Sequence, residues 1–248
     1  CRESQLLNRK DSNVDYHFLD VIQLREHFID EIKINHVTRE TLIVDYTLLT
    51  FLIGNDFVPK CSFIHIENNM FSDIIDIYLN LKKPLTDEYK NIIIPNFLEF
   101  ISYCEKIETQ MYCEYSDFYK KKRFVNREVE PKRILIEEYN RYPLFRKEKN
   151  PFRDIDNWKN DYYKYYIGGR LYKQDKMEMC NCYMNILQWN IDYYFKGVRD
   201  YLYYYPYNCS PTLYDLLNFL KYNTITNEIV ENPPIEPEQQ LTIILPTA

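Results

Sequence analysis

The chain lacks several things, and each absence narrows its function. No stretch approaches the roughly 18 uninterrupted apolar residues that a membrane-spanning helix needs, which argues for a soluble protein with no membrane partner. The mean hydropathy of -0.51 agrees. There is no excess of positive charge. The net charge is -6, so binding to nucleic acid through general phosphate attraction is excluded and any such function must come from a local site. The seven cysteines include no C-x-x-C pair, and the four histidines show no ligand-like spacing. A zinc site and a disulfide framework are both disfavoured against reduced thiols in an intracellular protein. Glycine is scarce, at 4 residues, and Ala248 is the only alanine. With 25 tyrosines and abundant Ile, Asn and Lys, this reads as A/T-rich coding and says little about function. The first residue is Cys1 and no signal-peptide pattern follows, so a piece of a longer protein is expected.

What is present is globular in character. An apolar fraction of 46% beside 27% charged residues suits a packed core, and 248 residues suffice for one. Helical periodicity dominates. Residues 16–33 carry Phe18, Val21, Ile22, Leu24, Phe28, Ile29 and Ile32 at helical spacing. From about Arg39, Leu42, Tyr46, Leu49 and Ile53 form one stripe, and Gly54 supplies a left-handed stop. Further helices are expected at 70–82, 95–115, from Trp158, at 175–196 with a stop at Gly197, and finally at 211–222 with Pro211 near its N-terminus. The prolines of the tail, Pro233, Pro234 and Pro237, predict an extended end. Residues 116–156 read as a charged connector with one short helix at 132–140.

Specific strings go beyond this mainly α reading. Leu52-Ile-Gly-Asn-Asp-Phe-Val-Pro59 resembles the G-N-D-F-[LV]-P motif of the Xrn-type 5′→3′ exoribonucleases. Upstream, Phe18-Leu19, Leu24-Arg25-Glu26 and Asp45-Tyr46 resemble the F-L, L-R-E and D-[WF] of that family. Downstream, Trp158-Lys159-x-x-Tyr162-Tyr163 resembles W-K-x-x-Y-Y, and Leu187-Gln188-Trp189…Tyr193-Tyr194…Gly197 resembles L-Q-W-x-x-x-Y-Y-x-x-G. Tyr204-Tyr205-Pro206-Tyr207 with Pro211 is similar to Y-Y-P-Y-H-Y-A-P, and Pro237…Gln240-Leu241…Leu245-Pro246 to P-F-E-Q-L…L-P. The order is kept from 18 to 246.

The resemblance implies an enzyme that processively removes nucleotides from 5′-monophosphorylated single-stranded RNA, using Mg²⁺ with Mn²⁺ as an alternative. It implies a FEN/PIN-like α/β nuclease domain, largely missing from this chain, against which the helical domain packs. Residues 1–60 would end the nuclease region and 61–115 begin the helical domain. Residues 116–156 would connect to its second part, 157–248. Of the family's acidic cluster only Asp56 can be carried over, as the catalytic and metal residue. Phosphodiester hydrolysis needs a cation that activates water and neutralises charge, and Mg²⁺ is held by few carboxylates. The competing reading is that Asp56 only hydrogen-bonds its own turn. Asn55 is expected to shape that turn.

Asp45 lies three helical turns before Asp56, roughly 16 Å along a helix. It is expected to pair with a basic residue and not to share the metal. Tyr201 and Tyr203, where the family has W-S-W, are candidates for stacking on RNA bases. Tyr204 and Tyr205 are expected in the core. Lys60 and Asn208 stand where the family has His. The Lys120–Arg123 run is read as a solvated linker before RNA contact. Two alternatives remain: a non-catalytic helical scaffold for RNA or protein, and, less favoured, a flap-type DNA nuclease. A cytoplasmic location is expected before a nuclear one.

Overall fold

The computed structural model describes residues 18–62, 70–121, 158–168 and 171–245. Within them lie eight helices: α1 (Val21–Glu31), α2 (Arg39–Phe51), α3 (Met70–Leu81), α4 (Ile94–Lys121), α5 (Trp158–Ile167), α6 (Lys173–Phe195), α7 (Leu213–Tyr222) and α8 (Pro237–Ile244). No strand occurs among the described residues, only two isolated bridges, Thr86 with Ile92 and Asp200 with Asn232. The mainly α reading is therefore what the structure shows.

Helix starts follow side-chain chemistry. Asp20 accepts the Ile22 and Gln23 N–H groups at 2.9 and 3.1 Å to open α1, and Thr38 accepts Thr41 N–H at 3.2 Å to open α2. Thr212 does the same for α7, accepting Asp215 N–H at 3.3 Å. Pro211 precedes this cap and lies outside the helix.

α6 is the axis of the molecule. From Met179 to Asp192 every residue but Gln188 is buried, so the helix is enclosed on all sides and not along one stripe. It packs against α2 and α7, α4 packs against α3 and α7, and α1 lies on α2. The buried asparagines of α6 work as straps. Asn181 donates to Thr226 O at 3.2 Å and to Glu228 at 2.6 Å, and Asn185 donates to Thr226 O at 2.8 Å, tying the segment after α7 onto the axis. A buried amide left without partners would cost about 1–3 kcal/mol, so this satisfaction is what permits asparagine in the core.

Several expectations change. α1 begins at Val21, and Phe18, Val21 and Ile22 are exposed, so only Ile29 and Ile32 of that stripe are buried. α4 runs on to Lys121, past the expected end near 115, while 122–157 lie outside the described residues with the expected 132–140 helix, Lys122 and Arg123. The tail is not wholly extended: Pro237 occupies the first turn of α8, where its missing N–H costs nothing. Tyr193 is exposed, although it continues the α6 stripe.

Asp45 has no basic partner among the described residues. Fully buried, it accepts hydrogen bonds from the Tyr78 hydroxyl (2.7 Å), Leu85 N–H (2.8 Å) and the Thr86 hydroxyl (2.6 Å). These fix the chain after α3 against α2. Burial pushes its carboxyl up to about 6, against the opposing pull of those donors.

Described cysteines are unpaired thiols, and Cys61, Cys104, Cys180, Cys182 and Cys209 are buried. Burial raises the Cys61 thiol to about 12, which leaves it protonated and unreactive.

Candidate functional site

The turn after α2 is built by one glycine and one asparagine. The last turn of α2 tightens, with Leu52, Ile53 and Gly54 N–H donating to Leu49, Thr50 and Phe51 carbonyls. Gly54 then adopts φ +95°. A Cβ at this position would lie 2.7 Å from Lys60 N, so both backbone sign and close approach require glycine. Cys61 N–H donates to Leu52 O at 2.8 Å and closes the loop.

Asn55 shapes the turn as expected. Its Oδ1 accepts Phe57 and Val58 N–H, both at 2.9 Å, and its backbone N–H donates to Val58 O at 2.9 Å. With Oδ1 committed, Nδ2 points away and donates to Asn190 Oδ1 of α6 at 3.1 Å. Phe57 follows the same direction. Its ring meets Trp189 edge-on at 5.2 Å and Tyr193 at 5.0 Å. The G-N-D-F string is thereby clamped to the L-Q-W helix.

Between those two clamped residues sits Asp56. It is exposed at the tip of the turn, and its carboxylate has no hydrogen-bond or ion-pair partner among the described residues. The competing expectation, that it serves its own turn, is met instead by Asn55. The surrounding surface is aromatic: Trp189 stacks on Tyr193 at 5.5 Å, Tyr193 meets Tyr194 at 5.1 Å, and Tyr194 stacks on Phe51 at 5.7 Å. Tyr193 and Tyr194 remain 38% and 55% exposed beside the turn.

The same α6 segment reaches the aromatic loop. Trp189 Nε1 donates to Asp200 O at 2.9 Å. The Asp200 carboxylate accepts Asn232 Nδ2 at 2.9 Å and Leu202 N–H at 3.0 Å. Burial works against its charge, but these hydrogen bonds outweigh it and hold the carboxyl below its usual range. Tyr201, next in sequence, is 52% exposed and free to offer a ring face. Tyr203 is half-buried against the core, its hydroxyl 3.5 Å from Cys182 O. Tyr205 is buried, as expected, with its hydroxyl on Cys209 O at 2.9 Å. Tyr204 departs from the expected core position and is 72% exposed, because along the irregular stretch 203–207 successive residues alternate between core and solvent.

A cation site is not complete here. Among the described residues no group of three or more His, Cys, Asp or Glu side chains could hold a metal ion. Asp56 offers a single carboxylate and no neighbouring ligand among the described residues, so these residues do not by themselves fit Mg²⁺.

Two residues escaped the sequence reading. Asn190, wholly buried, is the partner that holds Asn55; an asparagine inside a helix carries no signal that it faces another loop 135 residues away. Glu108 is 1% exposed and accepts Ser62 Oγ and Leu213 N–H, each at 2.7 Å, with Lys159 at 3.4 Å. It caps α7 from α4, and burial raises its carboxyl despite those partners.

By sequence the chain is similar to known proteins. Residues 154–248 match the family described as the Xrn1 helical domain. The chain is 23% identical to human 5′-3′ exoribonuclease 1 over 94% of its own length, which is 16% of that protein. It is 31% identical to 5′-3′ exoribonuclease 1 of Schizosaccharomyces pombe over 45% of the chain and 9% of the relative. Against 5′-3′ exoribonuclease 2 of Debaryomyces hansenii it is 31% identical over 29% of the chain and 7% of the relative. It thus spans only a small part of these proteins. Residues 154–248 are thus similar to the Xrn1 helical domain, and over most of its length the chain is similar to a 5′-3′ exoribonuclease.

Proposed function

We propose that this chain is part of a 5′→3′ exoribonuclease that processively hydrolyses 5′-monophosphorylated single-stranded RNA. In this reading it packs against a nuclease domain of the same protein. The observation that carries it is Asp56: an exposed carboxylate without a partner among the described residues, on a turn whose neighbouring side chains are fixed to α6. A preorganised, solvent-facing carboxylate costs little to bring to a cation, and an unbound one has no structural duty to give up.

Asp56 would contribute one oxygen ligand to Mg²⁺ or Mn²⁺, with the remaining ligands supplied from outside the described residues. The cation, when bound, would supply charge neutralisation at the scissile phosphate. This chain's own part is positioning. The Asn55–Asn190 bond and the Phe57–Trp189 contact hold the carboxylate, and Tyr201 offers a ring to a splayed base. Tyr203 is a weaker stacking candidate, since burial and then the nearby Glu228 carboxylate raise its hydroxyl and mark it as partly core. The chain alone would be inactive, and the parent protein would work in the cell, in the cytoplasm before the nucleus.

A second reading, a helical scaffold without catalysis, is favoured by the single carboxylate at the turn. The test is a time course of 5′-monophosphorylated RNA decay by the full-length protein and its Asp56→Ala variant. The exonuclease reading expects Mg²⁺-dependent decay that the variant loses. Decay at the parent rate in the variant would remove the metal role and put the scaffold first.

A further inference from the structure

A groove away from Asp56 lies between α5, the start of α6 and α7, with a volume of about 650 Å³. That lies within the ~300–1,000 Å³ range of small-molecule and cofactor pockets. Its α7 wall is regular: Tyr214, Asn218 and Tyr222 follow at i, i+4 and i+8 and form one ridge, each step rising about 6 Å. Tyr214 is 48% exposed, with the Lys159 ammonium over one face of its ring at 4.3 Å and the other face left for stacking; Tyr222 is 80% exposed, and buried Phe219 forms part of the floor. Asn218 is half-buried, and its amide has no hydrogen-bond partner among the described residues.

Charge in the groove is arranged as well. The Asp215 carboxylate is already taken, accepting the Tyr163 hydroxyl at 2.7 Å, Thr212 Oγ1 at 2.9 Å and Lys176 Nζ at 3.0 Å. Lys173, at the first residue of α6, is exposed and carries no ion pair among the described residues. The uncompensated charge facing the groove is therefore positive, in a chain whose net charge is -6.

We infer that this groove is a second site for single-stranded RNA, with unstacked bases on Tyr214 and Tyr222 and a backbone phosphate on Lys173. Flat exposed rings alternating with an open amide suit bases, whose faces stack and whose edges hydrogen-bond. A single cation beside them suits the phosphate between two bases. The inference takes its choice of polymer from the proposed function, but needs neither Asp56 nor a cation. The groove would hold the strand without cleaving it.

The test is photo-crosslinking of the full-length protein to 4-thiouridine-containing oligouridylate in EDTA, followed by peptide mapping. Crosslinks are expected on the α7 peptide that carries Tyr214 and Tyr222. Lys173→Glu, which keeps both rings, should remove most of that crosslink while crosslinks elsewhere persist, and Asp56→Asn should leave it unchanged. With the present chain and a labelled oligouridylate, Tyr222→Ala should weaken binding about tenfold at an unchanged melting temperature. No crosslink on α7, or variants that bind like the parent, would overturn the site. So would duplex RNA binding as well as single strands, or an acidic peptide that displaces RNA at equal concentration, which would make the groove a protein-docking surface. Intact RNA decay together with any of these failures would sink the groove alone and leave the proposed function standing.

Discussion

The Asn55 side chain donates to Asn190 Oδ1 at 3.1 Å, joining a turn after α2 to the middle of α6 across 135 positions of sequence. Both of its polar ends are used, since its Oδ1 accepts two backbone N–H groups of the same turn. The orientation of an exposed carboxylate one residue away is thus set by a buried residue of another helix.

Loss of that joint should be visible as stability. Asn55→Ala removes three hydrogen bonds, two of them to backbone N–H groups, and should cost about 2 kcal/mol in urea unfolding. Gly54→Ala should cost at least as much, because a Cβ must meet Lys60 N at 2.7 Å with φ at +95°. A Gly54→Ala protein as stable as the parent would mean that the turn relaxes freely.

Asp45 predicts a pH dependence with a definite sign. Its folded carboxyl titrates near 6 against an ordinary 3.8, so the folded state holds the proton more tightly than the unfolded chain. Its contribution is therefore most favourable below pH 4 and is lost as pH rises through 6, by up to about 3 kcal/mol. Asp45→Asn should abolish this slope in denaturant midpoints measured between pH 4 and 7. It should fold, because Thr86 can turn its hydroxyl to accept from the new amide. Asp45→Ala leaves three buried donors without their acceptor and should cost about 3 kcal/mol or more.

Glu108 is also expected to be a costly acidic side chain to remove. Glu108→Ala strands the Ser62 hydroxyl and the first N–H groups of α7, and leaves the Lys159 ammonium only Glu105 at 3.8 Å, so it should destabilise by about 3 kcal/mol. Glu108→Gln keeps an acceptor oxygen and should lose less. Thermal unfolding of the two variants side by side separates lost charge from lost shape.

Asp56 should behave in the opposite way. It is exposed and without a partner among the described residues, so Asp56→Ala and Asp56→Asn should leave the melting temperature unchanged. In the full-length protein both should slow RNA decay by two or more orders of magnitude, the scale of losing one preorganised electrostatic group. Asn fails with Ala because the amide keeps the shape but not the charge. Tyr201→Ala, at a half-exposed ring, should instead raise the RNA concentration needed for half-maximal decay and leave the limiting rate nearly intact.

Much of this was legible in the sequence alone. Helical spacing with Gly54 and Gly197 marks where α2 and α6 lie and stop, since glycine stops are local chemistry, whereas the caps Thr38 and Thr212 emerged only in the structure. The ordered strings likewise pointed to Asp56 and to the kinship before any coordinates. Tertiary structure decided the rest, because burial depends on what other elements cover. α6 is enclosed all round since α2 and α7 flank it and the 225–229 segment straps over it, which turns asparagines that look solvent-facing into core residues. Asp45 found hydroxyls and an N–H where a cation was expected, because α3 and the chain after it close over α2. Tyr204 and Tyr205, adjacent and chemically alike, went to opposite sides of one loop. Only the packing of that loop against Tyr183, whose ring lies 5.7 Å from Tyr205, could distinguish them.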